Sequence, residues 1–191
     1  MTQPDENPDL PAAAVDDLVA LLPAPLAPGL SAAELDAVEH RYGFRFSADH
    51  RALLARALPV GDRFPDWRDG DPGALRDWLG RPAQGVLFDV RENGFWHPGW
   101  GERPADRAAA VRVATDELSR VPPLVPVYGH RYLPGIGGRA GHPVLSTHQT
   151  DIIVYGADLG RYLRQEFGGG YRTELVEGAE CTVPFWSTLV S

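Results

Sequence analysis

Six histidines, one cysteine and a scatter of carboxylates are the side chains through which this 191-residue chain could do chemistry. His130, His142 and His148 fall in one segment, and Asp151 lies three residues beyond the last of them. His142, Ser146 and His148 share strand parity, and His130 stands with Tyr128 and Tyr132 on the segment read as the facing strand. A metal site would need three converging ligands and an open position, and no His-Glu-x-x-His helix or paired-carboxylate helix accompanies these residues. Three readings stand side by side. The histidines and Asp151 are polar groups that tie strand ends to backbone, or a polar partner-binding patch, or the acid–base centre of a hydrolase using His130, His148 and Asp151.

The other candidates are weaker as chemistry. Gly135-Ile-Gly137-Gly138-Arg-Ala-Gly141 has the glycines of a phosphate loop, but a strand pattern follows it where a helix N-terminus is required, so it reads as a hairpin connection. No Gly-x-Ser-x-Gly elbow is present. Cys181 stands beside Glu180, a neighbour that disfavours the thiolate, and reads as an inert thiol. The aromatic loop Phe95-Trp96 and Trp100-Gly101-Glu102-Arg103-Pro104 reads either as binding anchors or as a buried cap on the core, since Trp and Arg serve interfaces and Trp serves cores. These residues yield no catalytic set, no metal site and no cofactor.

Composition narrows the class. Residues 1–40 carry Asp5, Glu6, Asp9, Asp16, Asp17, Glu34, Asp36 and Glu39 and no arginine, while the remainder balances 18 Arg against 18 acids, so the net charge of −8 sits in the first forty residues. A neutral body with an acidic arm is a poor nucleic-acid binder. No apolar stretch approaches the roughly 18 residues of a membrane span, and Met1 to Pro11 lacks the apolar run of a secretory signal. The expectation is a cytoplasmic protein with neither nucleic acid nor membrane as partner.

The elements that must position these residues follow from pattern. Residues 1–29 read as an acidic arm: a disordered tail over 1–11, then a short helix from Ala12 to Leu22 with Val15, Leu18, Val19 and Leu22 on one face. Ser31 and Glu34 make a capping box for a helix over 31–42, with Gly43 as its stop. Ser47 opens a second helix to about 58. Residues 59–73 form a long loop anchored by Phe64 and Trp67, followed by helical pieces at 74–80 and 83–91. Pro104 reads as the first residue of a helix over 104–119. Segments 124–133 and 143–148 alternate as a hairpin, 151–155 is a third and central strand, and a last helix covers 157–167. Residues 168–191 read as a loosely packed extension. Helices first and an antiparallel sheet later predict an α+β fold.

At particular stretches the chain resembles the SUKH superfamily, the group of Smi/Knr cell-wall-assembly regulators and many bacterial proteins. The resemblance rests on Leu30-Ser31-x-x-Glu34, Glu39, Gly43 and Asp49-x-x-x-Leu53-Leu54. It continues through Gly85-Val-Leu-Phe-Asp-Val90, Phe95-Trp96, Trp100-Gly-x-Arg103-Pro104 and Leu124-Val-Pro-Val-Tyr-x-His130-Arg-Tyr-Leu-Pro134. Its last stretches are Pro143-Val-Leu-Ser146 and Thr150-Asp-Ile-Ile-x-Tyr155-Gly-x-Asp158-Leu. It covers about residues 30–167, departing at Ser47, where proline is common in that group, and in the longer acidic loop 59–73. The resemblance implies a mostly antiparallel sheet packed against helices, no agreed catalytic residues, and a non-catalytic binding domain. In the bacterial branch that domain is an immunity protein that occludes a toxin effector; a regulatory scaffold without a toxin is the alternative. For affinity the sequence offers Trp67, Trp96, Trp100, Arg103 and His130. For steering it offers the acids Asp62, Asp66, Asp69, Asp71 and Asp77 together with the arm.

Overall fold

The computed structural model describes residues 12–169 and 180–190. The tail expected over 1–11 lies outside the described residues. Within them the fold is α+β, with six α-helices and two antiparallel sheets.

Three helices open the chain: α1 (Ala12–Ala20), α2 (Ala32–Tyr42) and α3 (Ala48–Arg56). The capping box forms as expected. The Ser31 hydroxyl accepts the Glu34 amide at 3.3 Å, the Glu34 carboxylate returns to the Ser31 amide at 2.8 Å, and Gly43 closes the helix at φ +73°. Arg68 grips the same carboxylate at 2.7 Å, and together these donors hold Glu34 down at about 2. Two short strands, β1 (Leu26–Pro28) and β2 (Ala57–Pro59), pair antiparallel on either side of the α2–α3 hairpin, so α3 ends sooner than expected.

The helical pieces expected at 74–80 and 83–91 are one helix, α4 (Pro72–Phe88), running into a π-helical turn over Asp89–Asn93. Pro82 inside it costs a backbone bond, about 3 kcal/mol. The halves on either side of Pro82 are each held by packing, Leu75 in the core under α2 and α3 and Val86 against the main sheet strands and Trp186. Helix α5 spans Arg107–Leu118, starting later than Pro104, because Asp106 is the better cap: its carboxylate accepts the Ala109 amide at 2.7 Å.

The main sheet is a four-strand antiparallel meander, β3 (Leu124–Tyr128), β4 (Arg131–Pro134), β5 (Val144–His148) and β6 (Asp151–Gly156), in that spatial order. The segment expected as one strand over 124–133 turns at Gly129–His130 and pairs with itself. His130 therefore lies in a turn and not on a strand. β4 pairs with β5 as expected, across Arg131 with Ser146 and Tyr132 with Leu145. β6 is an edge strand and not a central one. Its apolar composition follows from cover on both faces, and Val190 bridges to Ile152 at its outer edge.

Alternate residues of the sheet feed separate cores. One face carries Leu133 and Val144 against α1, α3 and α6 (Leu159–Phe167), including Val15, Leu18, Leu22 and Tyr162. The described part of the arm thus contributes to the core. The other face carries Leu124, Tyr132, Leu145 and Ile152 against α4, Leu118, Val183 and Trp186. The expectation of loose packing over 168–191 is corrected for residues 180–190, while 170–179 and 191 lie outside the described residues: Val183 and Trp186 are both 2% exposed, and the Trp186 indole donates to the Pro122 carbonyl at 2.7 Å. Gly156 has a packing reason, since a Cβ there would meet the Tyr162 Cβ at 2.6 Å. Among the described residues, no helix is long and apolar enough to cross a membrane.

Candidate partner-binding site

The sequence-selected aromatics separate into two fates. Trp67 is 3% exposed, packed edge-on against Phe46 at 5.5 Å and Tyr42 at 6.1 Å and tilted against Phe44 at 5.8 Å. It is a core residue and cannot meet a partner. The acids around it are largely architectural. Asp66 accepts the Arg68 and Asp69 amides, and Asp71 caps α4 by accepting the Ala74 amide at 2.8 Å. Asp62, Asp69 and Asp77 are exposed and available for long-range steering.

Trp96 and Trp100 do come together, both packed against Val90, to whose carbonyl Arg103 is bonded. The three-residue 3₁₀ turn Pro98–Trp100 folds the loop back, with the His97 ring accepting the Gly99 amide at 3.1 Å. Trp100 stacks on Phe185 at 5.7 Å with 9° between the planes, and meets Trp96 edge-on at 5.2 Å and Phe95 at 5.9 Å. The Trp96 indole donates to the Gly101 carbonyl at 2.8 Å, and the Arg103 guanidinium to the Val90 carbonyl at 2.9 Å. These four aromatics, and His97 between them, are half-buried, so each keeps a free edge. Phe88, 39% exposed, lies at the adjoining end of α4.

The frame of this cluster is Asp89, which sequence reasoning passed over as a site residue. Its carboxylate accepts the Thr150 amide at 2.9 Å, the Thr150 hydroxyl at 2.6 Å and the Asn93 side-chain amide at 2.5 Å. Burial pushes this acid up, but those donors outweigh it and hold it below the usual carboxylate range. The bonds staple the β5–β6 turn to the π-helical turn. Gln149 in that turn sits at φ +57°, a conformation that glycine or asparagine ordinarily takes. Gly85 permits the approach, since a Cβ there would lie 2.8 Å from the Gln149 Cα. An acid embedded in Val-Leu-Phe-Asp-Val was the available signal, because a lone carboxylate in an apolar run must find donors. Asp89, Asn93, Phe95, His148, Gln149 and Asp151 line a groove of about 430 Å³ beside the aromatics.

His130 and His148 lie near enough for their charges to interact, while His142 lies beside Asp49. His148 and Asp151 face each other as the last pair of the β5–β6 ladder, and His130 is exposed in the β3–β4 turn, where burial and then the Arg131 and Arg63 charges lower its pKa. His142 is buried, and burial lowers it more than nearby Asp49 raises it. Among the described residues, no group of three or more His, Cys, Asp or Glu could hold a metal ion. The glycine-rich segment connects β4 to β5 and docks on the α2–α3 region, with the Gly141 amide on the Asp49 carboxylate at 3.1 Å. Burial raises the Cys181 thiol.

No family model matches the chain, and neither the curated proteins nor the solved structures contain a significant match.

Proposed function

We propose that this protein is a non-catalytic protein-binding domain whose contact surface is the aromatic cluster of Phe95, Trp96, Trp100 and Phe185 with Arg103 at its edge. Read with the resemblance to the SUKH superfamily, it is an immunity protein that neutralises a toxin effector by covering it. The observation that carries the reading is where backbone strain and half-exposed aromatics coincide. Among the described residues, the two non-glycines with positive φ are Gln149 and Phe185; Gln149 lines the groove with Phe95, and Phe185 stacks on Trp100. Strained backbone persists where surrounding structure enforces it, and it clusters at functional surfaces. Tryptophan and arginine with free edges, held by a rigid frame, are the residues that dominate interface energies. Exposed Asp62, Asp69 and Asp77 would steer a basic partner and raise its on-rate at low salt.

The test is protection. The protein is co-expressed with the effector domain of any toxin encoded beside its gene, and growth is compared for the wild type, His130→Ala and His148→Ala. Occlusion predicts that folded variants protect as the wild type does. Folded variants that bind the effector normally yet fail to protect would place the activity with the histidines instead.

A further inference from the structure

Within the aromatic cluster, His97 engages partners through both nitrogens of its ring. Its Nδ1 accepts the Gly99 amide at 3.1 Å, which closes the Pro98–Trp100 turn. Its Nε2 lies 3.0 Å from the Thr188 hydroxyl oxygen. That hydroxyl donates its one proton to the Phe185 carbonyl at 2.6 Å, so toward His97 it can only accept. The bond pattern therefore requires a neutral imidazole with its proton on Nε2 and a bare Nδ1. The same ring tilts against Trp100 at 5.6 Å and against Phe185 at 5.1 Å. One imidazole thus ties the aromatic loop to the C-terminal segment, at the point where Phe185 holds φ +69°.

Protonation is incompatible with this arrangement. An imidazolium has two donors and no acceptor, so a proton on Nδ1 would point at the Gly99 N–H, and the bond that closes the turn is lost. His97 is half-buried, so water can deliver that proton. The charged and titratable groups on the elements around it are Glu102 and Arg103 on its own loop, Asp106 and Arg107 at the start of α5, and Glu180 and Cys181 on the C-terminal segment. Arg103 is bonded to the Val90 carbonyl, Asp106 to the Ala109 amide, and Arg107 is paired with Glu92 at 3.8 Å. We propose that His97 is a pH-sensitive latch on the aromatic cluster: neutral, it holds the Trp100 turn and Phe185 together, and protonated, it releases the turn and loosens Trp100 from Phe185. Histidine is the side chain whose charge ordinarily changes between about pH 5 and 8, so the latch opens in mild acid. Its consequence for binding rests on the partner surface proposed above; the latch itself does not.

The experiment follows the Gly99 amide and Trp100 indole resonances of the full chain from about pH 8 to about pH 5, beside the His97 ring resonances. The latch predicts that both move along the His97 titration. His97→Asn supplies a side-chain oxygen to the Gly99 amide, as asparagine does for the amide two residues on, and takes up no proton. In that variant both resonances should stay at their neutral-pH positions throughout. Should it fail to fold, the ring nitrogen shifts of the wild type at the alkaline end decide, with a protonated Nε2 and a bare Nδ1 expected. No partner protein enters these measurements, so a failed latch leaves the partner surface standing, and a failed partner surface leaves the latch. A Gly99 or Trp100 resonance that ignores the His97 titration, a His97→Asn protein that titrates as the wild type does, or the opposite tautomer overturns the proposal.

Discussion

Trp67 and Trp100 stand in loops of similar composition, rich in glycine, proline and charge, yet one is sealed and the other keeps an edge free. The difference lies in what each loop is laid upon. Around Trp67 the turn after α2 supplies Phe44 and Phe46, and α2 supplies Tyr42, so three rings close over the indole. Trp100 has ring neighbours too, but Phe95, Trp96 and Phe185 are themselves half-buried. An aromatic cluster becomes core when its outermost ring is covered, and a surface when it is not. The buried ionisable groups differ in the same way. His50 packs edge-on against Phe46 at 5.0 Å beneath the Trp67 corner, with its Nδ1 unpartnered among the described residues, whereas Asp89 under the Trp100 corner has three donors.

The largest expected effect is at the sealed corner. Trp67→Ala should destabilise the protein by about 3–5 kcal/mol, the ordinary cost of emptying a buried aromatic site. Chemical denaturation measures it, and a loss below about 1 kcal/mol would mean that the indole is not part of the core.

Acid sharpens the contrast. Asp89→Asn removes the charge from a carboxylate with three donors and should cost about 1–3 kcal/mol at neutral pH. Its folded pKa is depressed, so its stabilisation is present above the usual carboxylate range and is lost as pH falls through the folded value. His50 acts earlier. Burial lowers its pKa from 6.5 to about 3, so the unfolded chain takes up a proton that the folded protein refuses. Between those values stability falls with falling pH by about 1.4 kcal/mol per unit from this residue. His50→Leu should flatten that slope, read as denaturation midpoints between pH 4 and 7, while leaving the more acidic Asp89 loss in place. A slope unchanged in His50→Leu would assign the acid sensitivity elsewhere.

Much of this frame is legible from sequence, and the misreadings have physical reasons. The capping box at Ser31 and Glu34 and the final helix are local signals, read within one or two turns. The β3–β4 turn is not legible because Gly129-His130 interrupts an alternation that reads continuously through it, and two residues suffice for a hairpin. Pro82 and Pro104 mislead because tertiary burial and a better cap outweigh their local preference. For the site, Trp96, Trp100 and Arg103 are near in sequence and remain near in space. Phe185 is not, since its stacking on Trp100 is long-range and no periodicity announces it. Trp67 reads as an anchor because sequence shows that a tryptophan is present and not what lies over it.

The central claim is that the free-edged aromatic corner contacts the partner and the sealed one only supports the fold. Its most direct measurement is the affinity of Trp96→Ala for the partner protein, the effector domain of any toxin encoded beside its gene, by calorimetry, against the wild type and against Asp69→Asn. Trp96→Ala should keep the fold and lose at least tenfold in affinity, corresponding to about 1.4 kcal/mol or more. Asp69→Asn should change affinity by less than about threefold, and that change should shrink as salt is raised. A folded Trp96→Ala protein that binds the effector as tightly as the wild type would contradict the account.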